Sequence, residues 1–110
     1  MTANVSNINK TAMELQQTIE LENAVHSRGF NSVSEFALQK IKDDILKDMQ
    51  ESLQILGIYE KKYGMNYQEF FEKFHQITQF ELLEKEDDGM EWRAESEVLR
   101  INEKRLAKLL

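Results

Sequence analysis

The chain holds 110 residues with no cysteine and no proline, and its 20 acids against 14 Lys and Arg leave a net charge of −6. This suits one domain, or one small domain with an appended helix, and it excludes disulfides and thiolate metal sites. The polar start MTANVSNINK fits neither a secretory signal nor a membrane span, so a cytoplasmic, membrane-free protein is the expectation.

Net acidity argues against a generally nucleic-acid-binding surface. The acidity is also local. Residues 81–97 carry eight acids and two bases, and the rest of the chain balances at twelve against twelve.

Residues 1–17 read as a flexible arm or a short strand, since Met13, Leu15, Ile19 and Leu21 hint at alternation. Leu21, Ala24 and Val25 read better as a short helix stopped by Gly29, a suitable left-handed cap. Ser32 or Ser34 caps the next helix, with Glu35 in its acid-favouring first turn.

That helix is expected over about Ser34–Tyr63, within a helix-turn-long-helix dimerisation part spanning 18–63. Its apolar stripe settles into a 3-4 alternation at Leu46, Met49, Leu53 and Leu56, the spacing of a coiled coil. These four form either a homodimer seam or a seam with the rest of the chain. Lys61, Lys62 and Gly64 suit the helix end, and Gly57 inside it is a weak point of about 1 kcal/mol against alanine.

Residues 64–110 form a helical partner-binding part. Asn66 followed by Glu69 resembles a capping box, and Tyr67, Phe70, Phe71, Phe74 and Ile77 then line one face of a short helix. FELLEKEDDG reads as a charged connector, with Asp87 or Asp88 starting the last helix. Met90, Ala94, Val98, Leu99, Ile101, Leu106 and Leu109 fall on one broad side of it. The fold class is therefore mainly α, with three to four helices.

Catalytic groups do not converge. His26 and His75 are the only imidazoles, without metal-ligand spacing, and the four glycines are isolated rather than gathered in a phosphate loop. Ser27, Ser32, Ser34, Ser52 and Ser96 have no base in a recognisable motif. The acids at 84–91 lack the order of a calcium loop. No enzyme, metal or cofactor is expected.

Trp92 is the only tryptophan and sits in EDDGMEWRAESE. An aromatic anchor with an acidic rim suits a basic protein partner. The candidate partner-binding residues are Glu84, Glu86, Asp87, Asp88, Met90, Glu91, Trp92 and Glu95. The plainer alternative is that Trp92 and Met90 cap the chain's own core.

RGFNSVSEFALQKIKDDI resembles the turn and second helix of ribbon-helix-helix antitoxins and regulators. EKKYGMNYQEFFEKF and KEDDGMEWRAE look like small prokaryotic antitoxin-type proteins encoded beside ribonuclease-like toxins. Together these stretches span roughly residues 18–97.

The resemblance implies a type II antitoxin, often dimeric, that binds and neutralises a cognate toxin and can repress its own operon on operator DNA. The stretch where such a fold places its groove-reading strand, AMELQQTI, carries Glu14 and no base, and residues 1–47 sum to −1. That weighs toward toxin binding by masking of a basic RNA-binding cleft. The alternatives are a ribbon-helix-helix DNA-binding regulator and a non-enzymatic helical adaptor or assembly subunit.

Overall fold

A computed structural model describes the backbone of residues 5–110 and the side chains from residue 8 onward. It is mainly helical, with α1 (Val5–Ser27), α2 (Val33–Tyr63), the short α3 (Tyr67–Glu72), a single 3-10 turn at Phe74–Gln76, and α4 (Leu82–Leu109). The chain forms two compact units, residues 1–41 and residues 42–110, which divide within α2.

In the first unit, the described residues contain no strand. The expected flexible arm or strand over 1–17 is α1 from Val5 onward, and its first four residues lie outside the described ones. Ala12, Met13, Glu14, Leu15, Gln16 and Gln17 are all good helix formers, and this propensity outweighs the hint of alternation.

The helix ends at Gly29, whose φ of 88° is left-handed. Phe30 N–H donates to Val25 O at 3.2 Å and Gly29 N–H to His26 O at 3.0 Å, the paired bonds of a Schellman cap. Val25 is buried, and the Phe30 and Phe36 rings meet edge to face at 5.2 Å. Ser32, not Ser34, caps α2: its Oγ accepts from Glu35 N–H at 3.0 Å. The Glu35 carboxylate reaches back to accept from Asn31 N–H at 3.0 Å, a shifted form of the capping box.

In the second unit, α2 and α4 run antiparallel, because contacts that advance along one recede along the other: Ser52 with Glu95, Tyr59 with Glu91, Tyr63 with Asp88. The buried line of α2 is Ser52, Leu56, Tyr59 and Tyr63, preceded by half-buried Ile45 and Met49. This is a 3-4 repeat, one position off the expected seam. Leu46 and Leu53 point outward, and Leu56 belongs to the core. The shift arises because Ser52, polar in isolation, has its hydroxyl satisfied by a carboxylate and so tolerates burial.

α4 begins at Leu82, not at Asp87 or Asp88, so the expected connector is its first two turns. The acids there suit the positive end of the helix dipole. Its inward line is also a 3-4 repeat, through buried Lys85, Trp92 and Asn102 and half-buried Leu99, Leu106 and Leu109. Met90, Val98 and Ile101, expected on the apolar side, are exposed.

Asn66 caps α3 by accepting from Glu69 N–H at 2.9 Å. Gly64, with φ of 68°, lets the chain turn from α2 into it. The core is Leu56, Tyr59, Tyr63, Phe70, Ile77 and Trp92.

Candidate partner-binding face

The acidic stretch of α4 divides by helical angle into an inner and an outer set. Glu84, Asp88, Glu91 and Glu95 recur at intervals of four, three and four, which turns them toward α2. Ser52 Oγ donates to Glu95 at 2.6 Å, Tyr59 donates to Glu91, and Tyr63 donates to Asp88 at 2.6 Å. Lys62 Nζ lies 2.6 Å from both Glu84 and Asp88. Four of the six acids of the expected face thus form a ladder of hydroxyl– and ammonium–carboxylate bonds along the edge of the core.

The ladder marks its members. Burial, then the bond to Glu91 and that carboxylate's charge, raises the Tyr59 phenol from 10.0 to about 12. Burial, then the bond to Asp88, pushes the Tyr63 phenol up as well. The hydrogen bonds to Asp88 and then Glu84 hold the Lys62 ammonium above its ordinary value. Proton loss from either tyrosine would place a second negative charge against a carboxylate.

Trp92, read from the sequence either as a partner anchor or as a cap on the chain's own core, is 1% exposed and so takes the second place. Its ring stacks on Tyr59 at 5.6 Å and Tyr63 at 5.9 Å, with Tyr67 and Phe70 at 5.6 and 5.1 Å. A tryptophan on the inward repeat of α4 finds aromatic partners within its own chain. No partner protein reaches it without opening the core.

Lys85, beside it, is buried, and its Nζ donates to Phe74 O at 2.8 Å and Ile77 O at 2.7 Å. It also sits 4.5 Å from the Phe74 ring centroid. The lysine therefore ties the 3-10 turn to α4 by bonding two of its carbonyls, Phe74 O, which also accepts from Ile77 N–H at 3.4 Å, and Ile77 O.

The outer set consists of Glu86 and Asp87, both exposed, with Met90 at 72% exposure. Glu86 and Met90 line a groove of about 490 Å³ between α3 and α4, together with Tyr67, Phe71, Phe74 and Arg93. Phe71, expected on one helix face with Tyr67, Phe70 and Phe74, is 67% exposed on its rim. Gly89 on the groove's α4 wall admits the Phe70 ring, for a Cβ there would lie 3.0 Å from Phe70 Cε1.

Of the eight predicted binding residues, Glu86, Asp87 and Met90 stay fully outward, Glu84, Asp88, Glu91 and Glu95 hold the fold, and Trp92 is core. Sequence reasoning missed Phe71 as a surface group. The adjacent pair Phe70–Phe71 on a six-residue helix was the available signal, because such a helix buries only one side.

Among the described residues, no group of three or more His, Asp or Glu is placed to hold a metal ion. None of the described helices is long and apolar enough to cross a membrane. No family model, curated protein or solved structure matches the chain.

Proposed function

We propose that this chain is an antitoxin-like binding protein that neutralises a nuclease-type partner by covering its basic RNA-binding cleft. One observation carries the reading. The start of α4 presents Glu86 and Asp87 to solvent beside exposed Leu83 and Met90, next to a groove rimmed by exposed Phe71. Large apolar side chains left in the open beside uncompensated acids suit a basic protein surface with apolar character.

The ladder to α2 keeps this face on a rigid helix, which lowers the ordering cost of binding. The groove-reading strand of a ribbon-helix-helix regulator is helical here, so the operator-DNA reading has no observation in its favour.

Co-expression with the product of the adjacent gene, followed by co-purification and a ribonuclease assay, tests the proposal. Glu86→Lys, Asp87→Lys and Met90→Asp together are expected to abolish association and release nuclease activity. Association that persists undiminished in this triple variant would falsify the placement on α4, and an adjacent product without nuclease activity removes the antitoxin reading.

A further inference from the structure

The groove between α3 and α4 carries opposite charges at its two ends. α3 and the turn after it run antiparallel to the first half of α4. Tyr67 packs on Trp92 at 5.6 Å, Phe70 lies against Gly89, and the Phe74 ring sits under the Lys85 ammonium at 4.5 Å. Arg93 therefore stands with Tyr67 at one end and Glu86 with Phe74 at the other, while Phe71 and Met90 flank the middle.

Both end charges are open. Among the described residues, neither Glu86 nor Arg93 makes an ion pair. Glu97, the acid one turn beyond Arg93, is held by Arg100. Lys85, beside Glu86, has its ammonium on Phe74 O and Ile77 O.

These charges select the chemistry of the occupant. A wholly basic segment is repelled at Arg93, and a wholly acidic one at Glu86. The middle takes large apolar groups, since Phe71 and Met90 are left in the open there. An occupant that satisfies the whole groove carries an acid, an apolar centre and a base, in that order from Arg93 to Glu86.

Spacing selects its backbone. Glu86 and Arg93 are seven residues apart on one helix, about 10.5 Å along the axis and nearly in phase. A second helix laid along the groove repeats that spacing with its residues i and i+7, and its i+3 and i+4 side chains meet the apolar middle. An extended segment does not, because side chains on one side of a strand recur at about 6.7 and 13 Å. An acid that precedes the base also suits the occupant's own dipole. The occupant thus starts at the Arg93 end and runs antiparallel to α4.

We infer that the groove receives a helix of the partner protein that bears an acid, two apolar residues three and four positions on, and a base at the seventh. The acid pairs with Arg93 and the base with Glu86. The inference rests on the reading of this face as partner-binding, and it adds that one acid lies among the partner's basic groups.

Its test needs neither the adjacent gene product nor a nuclease, so it fails separately from that reading. The probe is a capped alanine–glutamine peptide of about 18 residues, long enough to hold a helix in water, with Glu-Ala-Ala-Leu-Leu-Ala-Ala-Lys at its centre. Titrated into the isotope-labelled full chain at low salt, it is expected to shift the amide signals of Phe71, Gly89, Met90 and Arg93. The same peptide with Lys for its Glu should bind about fivefold more weakly, the swing from an attractive to a repulsive exposed pair. Arg93 is exposed, so Arg93→Glu should keep the Trp92 emission and reverse that preference. Proline in place of the alanine before the first leucine breaks the peptide helix and should remove binding.

Five outcomes overturn the inference. These are no groove shifts up to millimolar peptide, equal affinity for the two charge forms, a preference that Arg93→Glu leaves standing, and undiminished binding of the proline peptide. The fifth is the same shifts on concentrating the protein alone, which would make a second copy the occupant.

Discussion

Trp92 of α4 stacks on Tyr59 of α2 with ring centroids 5.6 Å apart and planes inclined by 20°. The tyrosine's hydroxyl donates to Glu91, the neighbour of that tryptophan. One residue pair thus joins the aromatic core to the polar ladder at its edge. Trp92→Ala is expected to destabilise the protein by about 3–5 kcal/mol, the usual cost of emptying a fully buried aromatic site. Urea unfolding followed by circular dichroism measures this, and a loss under about 1 kcal/mol contradicts the central placement of the ring.

Two helical glycines should respond to alanine in opposite directions. Gly57 has nothing within 4 Å of an added Cβ, whereas Gly89 has Phe70 Cε1 at 3.0 Å. Gly57→Ala is expected to stabilise the protein by about 0.5–1 kcal/mol through helix propensity. Phe70 is hemmed in by Tyr63, Phe74 and Trp92, so Gly89→Ala should cost about 1 kcal/mol net, overpacking outweighing the propensity gain. Equal melting shifts for the two variants would show that the Phe70 ring gives way.

Lys85→Met keeps most of the buried aliphatic volume but removes the donor to Phe74 O and Ile77 O. The expected loss is about 2–3 kcal/mol, since the two bonds are charge-assisted and Ile77 O loses this donor at a buried junction. Hydrogen exchange should show the loss first at residues 74–77, as local opening. Unchanged protection there counts against the lysine as the tie.

Ser52 is 1% exposed and gives its hydroxyl proton to Glu95 at 2.6 Å. Ser52→Ala alone is expected to cost about 1–2 kcal/mol, because it leaves the half-buried carboxylate without that donor. Adding Glu95→Met to Ser52→Ala should recover part of the loss, as removing both partners is cheaper than removing one. A double-mutant cycle reads the coupling, and strict additivity would mean the bond contributes nothing.

Alkaline pH should loosen the second unit through its tyrosines. The folded Tyr59 phenol is raised from 10.0 to about 12 by burial and Glu91, and Tyr63 shifts in the same direction. Above pH 10.0 the unfolded chain gives up phenolic protons that the folded chain still holds. The stabilisation is therefore complete below pH 10.0 and lost as pH rises through about 12. This follows from proton linkage. Urea midpoints against pH, with phenolate absorbance as the second readout, check it. Tyr59→Phe should flatten the fall.

Much of the architecture was legible in the sequence. The absence of proline, the Ser32-x-x-Glu35 start and the glycine at 64 mark α2 almost to the residue, and Asn66 marks α3. These signals are local: a cap and its bonded amide lie three residues apart, so the chain states them without tertiary help. The confinement of the acidity to 81–97 was equally plain.

Which way each of those acids points was decided only by the tertiary structure. Composition counts Glu84, Asp88, Glu91 and Glu95 with Glu86 and Asp87. The antiparallel approach of α2 sets Ser52, Tyr59, Lys62 and Tyr63 against the first four and leaves the other two to solvent.

The same approach buries Ser52, and the 3-10 turn takes in Lys85, while Leu53 and Met90 stay exposed, an inversion no hydropathy pattern expresses. Burial follows the free energy of a satisfied group, and a hydroxyl or ammonium becomes satisfied only when a distant segment supplies its partner. Sequence alone thus settled α2, the start of α3 and the place of the charge. Tertiary pairing settled which part of that charge holds the fold and which part faces outward.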